Sequence, residues 1–394
     1  MISATMPTYA RAPIAFARGD GVYLFGTDGR RYLDFGAGVA VTALGHCHPH
    51  LVKALTEQAA TLWHCSNLYR IPAQERLAER LVGASFADSV FFCNSGAEAV
   101  ECGLKMVRRY HYSQGHPERF RVITCEGAFH GRTLATIAAG GQEKHLKGFG
   151  PQVDGFDHVA FGNLNEMRAA VGPATAAVLV EPVQGEGGVR PMDATYLKGI
   201  RALCDEFGLL LFFDEVQTGI GRTGKLFGYE WSGVAPDVMA VAKGLGGGFP
   251  VGACLASERV AAAMDAGSHG STFGGNPLAM AVGNAVMDVI TADGFLKRVD
   301  KVARELFKRL QAVAAKHPKV YVEARGAGLL LGLKCQPAVT NSTVVEKLMA
   351  AGLLTVAAGD NIVRLVPPLI VEQSHVEEAV GIIDAVSGAL AKAA

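Results

Sequence analysis

The sequence carries no net charge, because its 37 lysines and arginines balance its 37 aspartates and glutamates over 394 residues. A neutral protein has no overall field that attracts nucleic acid or an anionic membrane, so neither is an expected partner. No apolar run approaches the ~18 residues of a membrane span. Charged residues also interrupt the N-terminal segment, where a signal peptide would be continuously apolar. We therefore expect a soluble, cytoplasmic protein.

The eight cysteines form no C-x-x-C pair and no zinc-ligand spacing. Several lie in apolar runs, which is typical of reduced cysteines buried in a core. Three histidines crowd into residues 46–50, but adjacent ligands on a short turn cannot easily surround one ion. We expect a structural turn there and no metal site.

Glycine is abundant, with 48 residues in 394, well above the usual share of roughly 7%. The excess has no collagen-like period, and the 49% of hydrophobic residues is too high for a disordered chain. Such glycines indicate tight turns or backbone that approaches a ligand.

Between about residues 50 and 270, short apolar runs alternate with helical periodicity, which favours an α/β layer with a mostly parallel sheet. The chain before residue 50 contains a predicted hairpin around a turn at residues 26–29, and the last ~120 residues have the pattern of a smaller α+β domain. The predicted units are an N-terminal segment, a large domain and a small domain (1–50, 51–275 and 276–394).

Polar residues follow four of the predicted strands, and strand ends in parallel sheets form ligand sites. The strands at 89–93, 176–180, 208–213 and 238–242 are followed by Ser95, Glu181, Asp214 and Lys243. A strand that simply ends where polarity begins explains any one of these positions. A shared site explains all four together better.

Lys243 is the most informative of these residues, since an apolar strand precedes it and a glycine-rich loop follows it. A lysine on the floor of a cleft can lose its proton and form a Schiff base. Pyridoxal phosphate needs such a lysine, a carboxylate for its ring nitrogen and a helix N-terminus for its phosphate. Asp214 and the segment Ser95, Gly96 and Ala97 match the last two needs.

The glycines at 219–224 match the dinucleotide fingerprint G-x-G-x-x-G, which should open a helix. Gly228, Gly233 and Pro236 follow too closely for a long helix. The same stretch nearly matches a phosphate-binding P-loop, but Leu226 stands where that motif has Ser or Thr. A nucleotide site is therefore disfavoured.

Seven motifs together make the chain resemble the class III, fold type I pyridoxal-phosphate aminotransferases from about Tyr9 to the C-terminus. They lie at residues 45–49, 94–99, 129–132, 181–188, 214–219, 243–248 and 270–277. The resemblance implies a large pyridoxal-phosphate-binding domain, with a mostly parallel seven-stranded sheet flanked by helices, and a smaller α+β domain with which the N-terminal segment packs.

The resemblance also implies roles for individual residues. Lys243 would hold the cofactor and then move the proton at the substrate carbon, and Asp214 would pair with the ring nitrogen. Other implied contacts are with the ring hydroxyl (Gln217), the two ring faces (Phe129 and Val216), the phosphate (Ser95, Gly96 and Ala97) and the phosphate in a neighbouring subunit (Thr272). The last contact implies a homodimer with shared active sites.

Substrate recognition must serve two different molecules at one position. By resemblance, Arg364 binds the α-carboxylate of glutamate or 2-oxoglutarate, and Glu186 neutralises Arg364 when an uncharged group is there. Arg132, assisted by Tyr9, would bind the distal carboxylate. Arg364 has a simpler alternative as a surface or strand-edge arginine.

Within the family, the expected reaction transfers the terminal amino group of N-acetylornithine to 2-oxoglutarate, giving N-acetylglutamate semialdehyde and glutamate for arginine biosynthesis. Rival substrates are succinylornithine, ornithine, succinyl-diaminopimelate and 4-aminobutyrate. Rivals of another class are a nicotinamide dehydrogenase that uses the 219–224 glycines and a non-catalytic homologue that only binds the cofactor or a partner.

Overall fold

A computed structural model describes residues 4–393, so the outermost ends of the predicted units lie outside the described residues. The strands, in chain order, are β1 (Phe16–Asp20), β2 (Tyr23–Gly26), β3 (Arg31–Asp34), β4 (Ser89–Cys93), β5 (Arg121–Cys125), β6 (Phe156–Val159), β7 (Thr175–Val180), β8 (Val183–Gln184), β9 (Arg190–Pro191), β10 (Leu210–Asp214), β11 (Val238–Val241), β12 (Gly252–Ala256), β13 (Tyr321–Ala327), β14 (Leu330–Cys335), β15 (Leu353–Leu354), β16 (Val356–Ala358) and β17 (Ile362–Leu365).

The helices alternate with these strands through the middle of the chain. They are α1 (Ala37–Ala40), α2 (Pro49–Ala59), α3 (Pro72–Gly83), α4 (Gly96–Ser113), α5 (Leu134–Gly140), α6 (Glu143–Leu146), α7 (Leu164–Ala169), α8 (Ala194–Phe207), α9 (Glu258–Ala261), α10 (Pro277–Ile290), α11 (Phe295–Lys316), α12 (Asn341–Ala350) and α13 (Gln373–Ala393), with short 3₁₀ turns at Gly228–Trp231 and Lys243–Leu245.

A seven-stranded sheet forms the centre, in the order β4-β12-β11-β10-β7-β5-β6. β10 pairs in parallel with β7 and β11, whereas β12 runs antiparallel to both of its neighbours. The predicted mostly parallel sheet is thus confirmed. Every residue of β10 is buried, which explains why this strand is a continuous apolar run and shows no alternation.

Two strands of this sheet were absent from the predicted set. β12 consists largely of small residues, and β6 carries Asp157 and His158 between its apolar ends. Neither has the β-branched pattern that marks a strand in sequence. Their neighbours in the sheet determine them more than their own residues do.

The chain ends meet in a second sheet, of order β1-β2-β3-β15. β2 and β3 form the predicted hairpin, and β3 continues by pairing in parallel with β15. A third sheet, of order β13-β14-β17-β16, holds Arg364 opposite Gly332 on one side and Val356 on the other. Arg364 is therefore on an inner strand of that sheet.

Helix α10 begins as the sequence predicts, with the Asn276 side chain accepting from the Ala279 N–H and Pro277 at the first position. It packs against α2 and α3, while α11 packs against β13 and α13. The predicted boundary at 275/276 falls just before α10, and the division into three units remains a prediction.

Within the described residues, no single helix is long and apolar enough to cross a membrane. The consecutive helices α10 and α11 are together long and apolar enough by length and composition, but a bend of 71° separates them. All eight cysteines are free thiols, and six of them are buried, as expected of core cysteines.

Helix α4 lies against the central sheet so closely that it needs a glycine. A Cβ on Gly103 would come within 2.2 Å of Cζ of Phe212, which is fully buried on β10. We expect Gly103→Ala to lower the free energy of unfolding by about 1–3 kcal/mol through overpacking. Denaturant unfolding followed by circular dichroism measures this change.

The matched control is Gly83→Ala, at the exposed end of α3, where an added Cβ meets no atom within 4 Å. This change should be neutral or stabilising by up to ~1 kcal/mol, since alanine favours the helix. Equal stabilities of the two variants would contradict the proposed tight contact between α4 and β10.

Candidate active site

A cavity of ≈ 420 Å³ lies at the carboxyl edge of the central sheet. Ser95, Glu181, Asp214 and Lys243, which follow four different strands, all line it. The structure therefore brings the four strand-end positions together. Most of the other predicted site residues line the same cavity: Gly96, Ala97, Phe129, Arg132, Glu186, Val216 and Gln217.

Three predicted residues lie elsewhere. Tyr9 is 75% exposed, with the Arg11 guanidinium 5.6 Å from its ring centroid, and it is not among the residues that line the cavity. Thr272 lines a separate hollow beside Asn94. Arg364 is fully buried behind the cavity wall and reaches it through side chains that do line it.

Lys243 follows β11 directly and has a left-handed backbone, with φ 46°. This region is uncommon for residues other than glycine. Burial disfavours its ammonium form, and the nearby Arg364 charge adds to that effect, so the pKa of Lys243 is lowered to about 8. The amine is therefore partly neutral near physiological pH.

Asp214 ends β10 with both carboxylate oxygens bonded. Oδ1 accepts the Val216 N–H at 3.0 Å, and Oδ2 lies 2.8 Å from Nδ1 of His130. Burial alone would lower the pKa of His130, but the hydrogen bond and charge of Asp214 raise it overall. The bond to His130 therefore orients the Asp214 carboxylate.

His130 was missed as a site residue, although it lies inside the 129–132 motif. Its ring is buried, and Nε2 has no hydrogen-bond partner among the described residues 4–393. The only signal in the sequence was the position of His130 two residues before the predicted site residue Arg132. Its partner Asp214 is 84 positions away and gives no local pattern.

Glu181 was identified as a strand end but not as a site residue. Its carboxylate accepts the Phe129 N–H at 3.0 Å and the Gly185 N–H at 3.3 Å. Burial, with the charge of Asp214 nearby, raises the pKa of Glu181 to about 7. Glu181 therefore ties the loop that carries Phe129 to the loop that carries Glu186.

The N-terminus of α4 opens on the cavity. Ser95 caps the helix by accepting the Glu98 N–H at 3.2 Å, and the Glu98 carboxylate accepts the Asn94 N–H at 2.5 Å. A Cβ on Gly96 would lie 2.7 Å from Val216, so only glycine fits there. Free backbone N–H groups and the helix dipole make this end suitable for a phosphate.

Arg364 makes a buried ion pair with Glu186. Its Nη1 donates to Oε1 of Glu186 at 2.6 Å and to Oε1 of Gln217 at 3.0 Å. Burial acts to raise the pKa of Glu186, but Arg364 lowers it overall. The alternative of a surface arginine is wrong, and Gln217, predicted near the ring hydroxyl, also contacts Arg364.

The cavity suits pyridoxal phosphate on the evidence of its lining. It offers a partly neutral lysine amine, an oriented carboxylate on Asp214, an aromatic face on Phe129 and an anion-binding helix end. These are the groups that a pyridine ring, an aldehyde and a phosphate each need.

The two competing motifs have structural explanations. His46 bonds to Asp34 at 2.8 Å and His50 bonds to Asp288 at 2.9 Å, whereas His48 caps α2. The histidines thus have separate structural partners. After the 219–224 glycines the chain forms only a 3₁₀ turn (Gly228–Trp231) before β11, so the motif lacks the helix of a dinucleotide site.

Comparison with known proteins places the chain in one family. Residues 5–386 match the family described as aminotransferase class-III. The acetylornithine aminotransferase of Mesorhizobium japonicum is 60% identical over 398 residues, covering 99% of each chain. That of Agrobacterium fabrum is 59% identical over 97% of this chain and 96% of its own.

Solved structures show the same architecture. The ornithine aminotransferase of Toxoplasma gondii ME49 superposes with a TM-score of 0.95 at 31% identity, covering 99% of this chain and 94% of its own. The N-acetylornithine aminotransferase of Stenotrophomonas maltophilia K279a has a TM-score of 0.85 at 37% identity and covers 98% of each chain.

The lowered pKa of Lys243 predicts a distinctive reactivity. In cofactor-free protein, an acylating reagent that attacks neutral amines should modify Lys243 with a midpoint near pH 8, whereas ordinary lysines titrate near ~10.4. Peptide mass spectrometry across a pH series measures the labelling of each lysine. A Lys243 midpoint that coincides with those of the exposed lysines would contradict the effect of burial.

Proposed function

The chain belongs to the class-III aminotransferases, and we propose that it transfers the terminal amino group of N-acetylornithine to 2-oxoglutarate. The products are N-acetylglutamate semialdehyde and glutamate, in the biosynthesis of arginine. The observation that carries the proposal is the buried pair of Arg364 and Glu186 at 2.6 Å, because a neutralised arginine beside the reacting centre suits a site with two dissimilar substrates.

Pyridoxal phosphate is the cofactor of this family, and it supplies an electron sink for charge that develops on the substrate carbon. Lys243 would hold its aldehyde, and Asp214 would face its ring nitrogen. The remaining contacts would come from the ring-facing pair (Phe129 and Val216), the helix end (Ser95, Gly96 and Ala97) and Gln217.

The pair of His130 and Asp214 supports this chemistry electrostatically. A proton on Nδ1 of His130, bonded to Asp214 at 2.8 Å, places a positive charge beside the carboxylate. A charged Asp214 in turn favours a proton on any basic nitrogen that it faces. His130 thus orients and polarises the group that would contact the cofactor.

Lys243 is the group that moves the proton. With its pKa lowered to about 8, the amine is neutral, with a free lone pair on Nζ, in a useful fraction of molecules near neutral pH. It can therefore accept a proton from the substrate carbon and return it. A general base is most effective when its pKa lies near the working pH.

Recognition of both substrates follows from the charges around Arg364. The reacting end of N-acetylornithine carries no carboxylate, so Glu186 stays on Arg364 and no buried cation is left unpaired. Glutamate brings an α-carboxylate, which replaces Glu186 as the partner of Arg364. Arg132 lines the same cavity, 5.5 Å from the Phe129 ring, and would bind the distal carboxylate.

A homodimer is part of the proposal, because apolar side chains beside Thr272 are exposed. Phe273 is 61% exposed and contacts His64, and Asn67 bonds to the carbonyls of Ser271 and Gly274. Further exposed apolar residues are Trp63, Leu68 and Tyr69. If a second copy of the chain covered this face, Thr272 of the first copy would reach the cofactor site of the second. Tyr9 would complete a distal-carboxylate site. We place this dimer in the cytoplasm.

Ornithine is the second candidate substrate, because the ornithine aminotransferase of Toxoplasma gondii shares the fold so closely. It differs from N-acetylornithine by a free α-amino group. The choice therefore depends on the distal end of the cavity.

Steady-state kinetics with 2-oxoglutarate as acceptor tests the proposal. We expect kcat/KM for N-acetylornithine to exceed those for ornithine, succinylornithine and 4-aminobutyrate. Lys243→Ala should lower the rate by at least about a hundredfold, since it removes the general base. A higher kcat/KM for ornithine would replace the proposed substrate, and full activity of Lys243→Ala would refute the assignment of the base.

Glu186→Gln tests the exchange of partners on Arg364. The variant leaves Arg364 without a carboxylate, so glutamate should bind more tightly and the N-acetylornithine half-reaction should slow. We expect the ratio of the half-reaction rate constant for glutamate to that for N-acetylornithine to rise about tenfold, the effect of one charge-assisted hydrogen bond. Single-turnover absorbance of the holoenzyme measures both.

The control is Glu206→Gln, which removes a carboxylate from an exposed pair with Arg168 and should leave the ratio unchanged. An unchanged ratio in Glu186→Gln would exclude the exchange.

A further inference from the structure

The loop that carries Glu186 is bonded through its backbone to the sheet that carries Arg364. The Gly359 N–H, in the turn between β16 and β17, donates to the Glu186 carbonyl at 2.8 Å. Arg325, on β13, donates to the Gly188 carbonyl through Nε at 2.9 Å and Nη2 at 2.6 Å. Two consecutive parts of the loop are thus fixed to the same sheet.

Gly188 allows this close approach. Its φ is +115°, and an added Cβ would lie 2.8 Å from Cβ of Asp360 and 2.9 Å from the Gly359 carbonyl oxygen. The loop therefore lies directly on the turn at 359–361, with no space between them.

The turn is itself rigid. Asp360 and Asn361 both have φ 53°, and the Asn361 side chain accepts the Asn341 N–H at 2.7 Å and donates to the Val339 carbonyl at 2.9 Å. Asp360 accepts from Nη2 of Arg325 at 2.5 Å and also from Lys334. Arg325 therefore bridges a rigid turn and the Glu186 loop.

The other end of the loop is held by the central sheet, through the bond from the Gly185 N–H to Glu181 at 3.3 Å. With the backbone fixed at both ends, the Glu186 carboxylate has a defined position relative to Arg364, which is on β17 beside the turn. Any exchange of partners must then come from rotation of the Glu186 side chain, without movement of the loop.

We propose that Arg325 is a positioning residue that sets the balance between the two substrates, by fixing the Glu186 loop at the distance where its carboxylate pairs with Arg364. The inference rests on the proposed function. The planar guanidinium suits this role because it bonds a carbonyl and a carboxylate at the same time.

Loss of this bridge has a defined consequence. A looser loop pairs Glu186 with Arg364 less often, so the buried guanidinium is more often free. A free guanidinium favours the α-carboxylate of glutamate and disfavours the uncharged end of N-acetylornithine. The change should appear as a shift in preference between substrates, without an equal loss for both.

The experiment measures, by single-turnover kinetics of the holoenzyme, the second-order rate constant of the half-reaction with N-acetylornithine and of that with glutamate. In Arg325→Gln, we expect the ratio of the constant for glutamate to that for N-acetylornithine to rise about tenfold, as for loss of one charge-assisted hydrogen bond. Arg168→Gln, which breaks the exposed pair with Glu206, should leave the ratio unchanged. Arg325→Lys should restore part of the preference.

A double-mutant cycle separates this inference from the proposed function. If Arg325 acts through Glu186, then Arg325→Gln should add no further shift in a Glu186→Gln background. A shift in Glu186→Gln without one in Arg325→Gln overturns the inference alone, and no shift in either variant overturns both. Equal losses for the two substrates would reveal a merely structural role and also overturn it.

Asp360→Asn provides a second variant if Arg325→Gln does not fold. Asparagine tolerates the left-handed backbone but removes one of the two carboxylate charges that hold Arg325, while Glu323 stays 3.2 Å from Nη1. We expect a smaller shift of the same sign, and an unchanged ratio in this variant would count against the inference.

Discussion

A guanidinium that is fully buried cannot remain without a partner, and Arg364 imposes this constraint on the whole active site. Its partners, Glu186 and Gln217, come from loops that follow two strands of the central sheet, whereas Arg364 comes from a separate sheet near the C-terminus. The ion pair therefore joins the two sheets at the cavity wall. In the proposed function a substrate carboxylate replaces Glu186, so this structural bond would serve recognition as well.

Other ionisable side chains of the cavity also have hydrogen-bond partners. Asp214 is held by His130, and Glu181 lies beside both while bonding to two loops. Low-dielectric surroundings make each interaction strong and each unpaired charge costly. Two charge pairs, Arg364 with Glu186 and His130 with Asp214, thus lie at the cavity.

The sequence was most informative about features that depend on neighbouring residues. The strand ends at Asp214 and Lys243, the cap at Asn276 and the hairpin at β2 and β3 all follow from local patterns, and the structure contains them. The shared site of the four strand ends was predictable from their pattern, and the pair of Glu186 and Arg364 from the resemblance, but most other contacts between distant segments were not. The bonds of Glu181, the partner of His130 and the place of β12 in the sheet arise only after folding. Tyr9 and Thr272 lie outside the cavity of a single chain.

The left-handed backbone at Lys243 has a consequence for how this fold balances stability against activity. A non-glycine residue in that region costs of order 1 kcal/mol, and the cost falls on the lysine that lines the cavity. β11 stops at Val241, and a sharp turn then directs the amine into the cavity. The surrounding core, with buried strands on both sides of β11, is what can sustain that strain. Rigidity in the sheet thus compensates for a locally unfavourable conformation at the floor of the cavity.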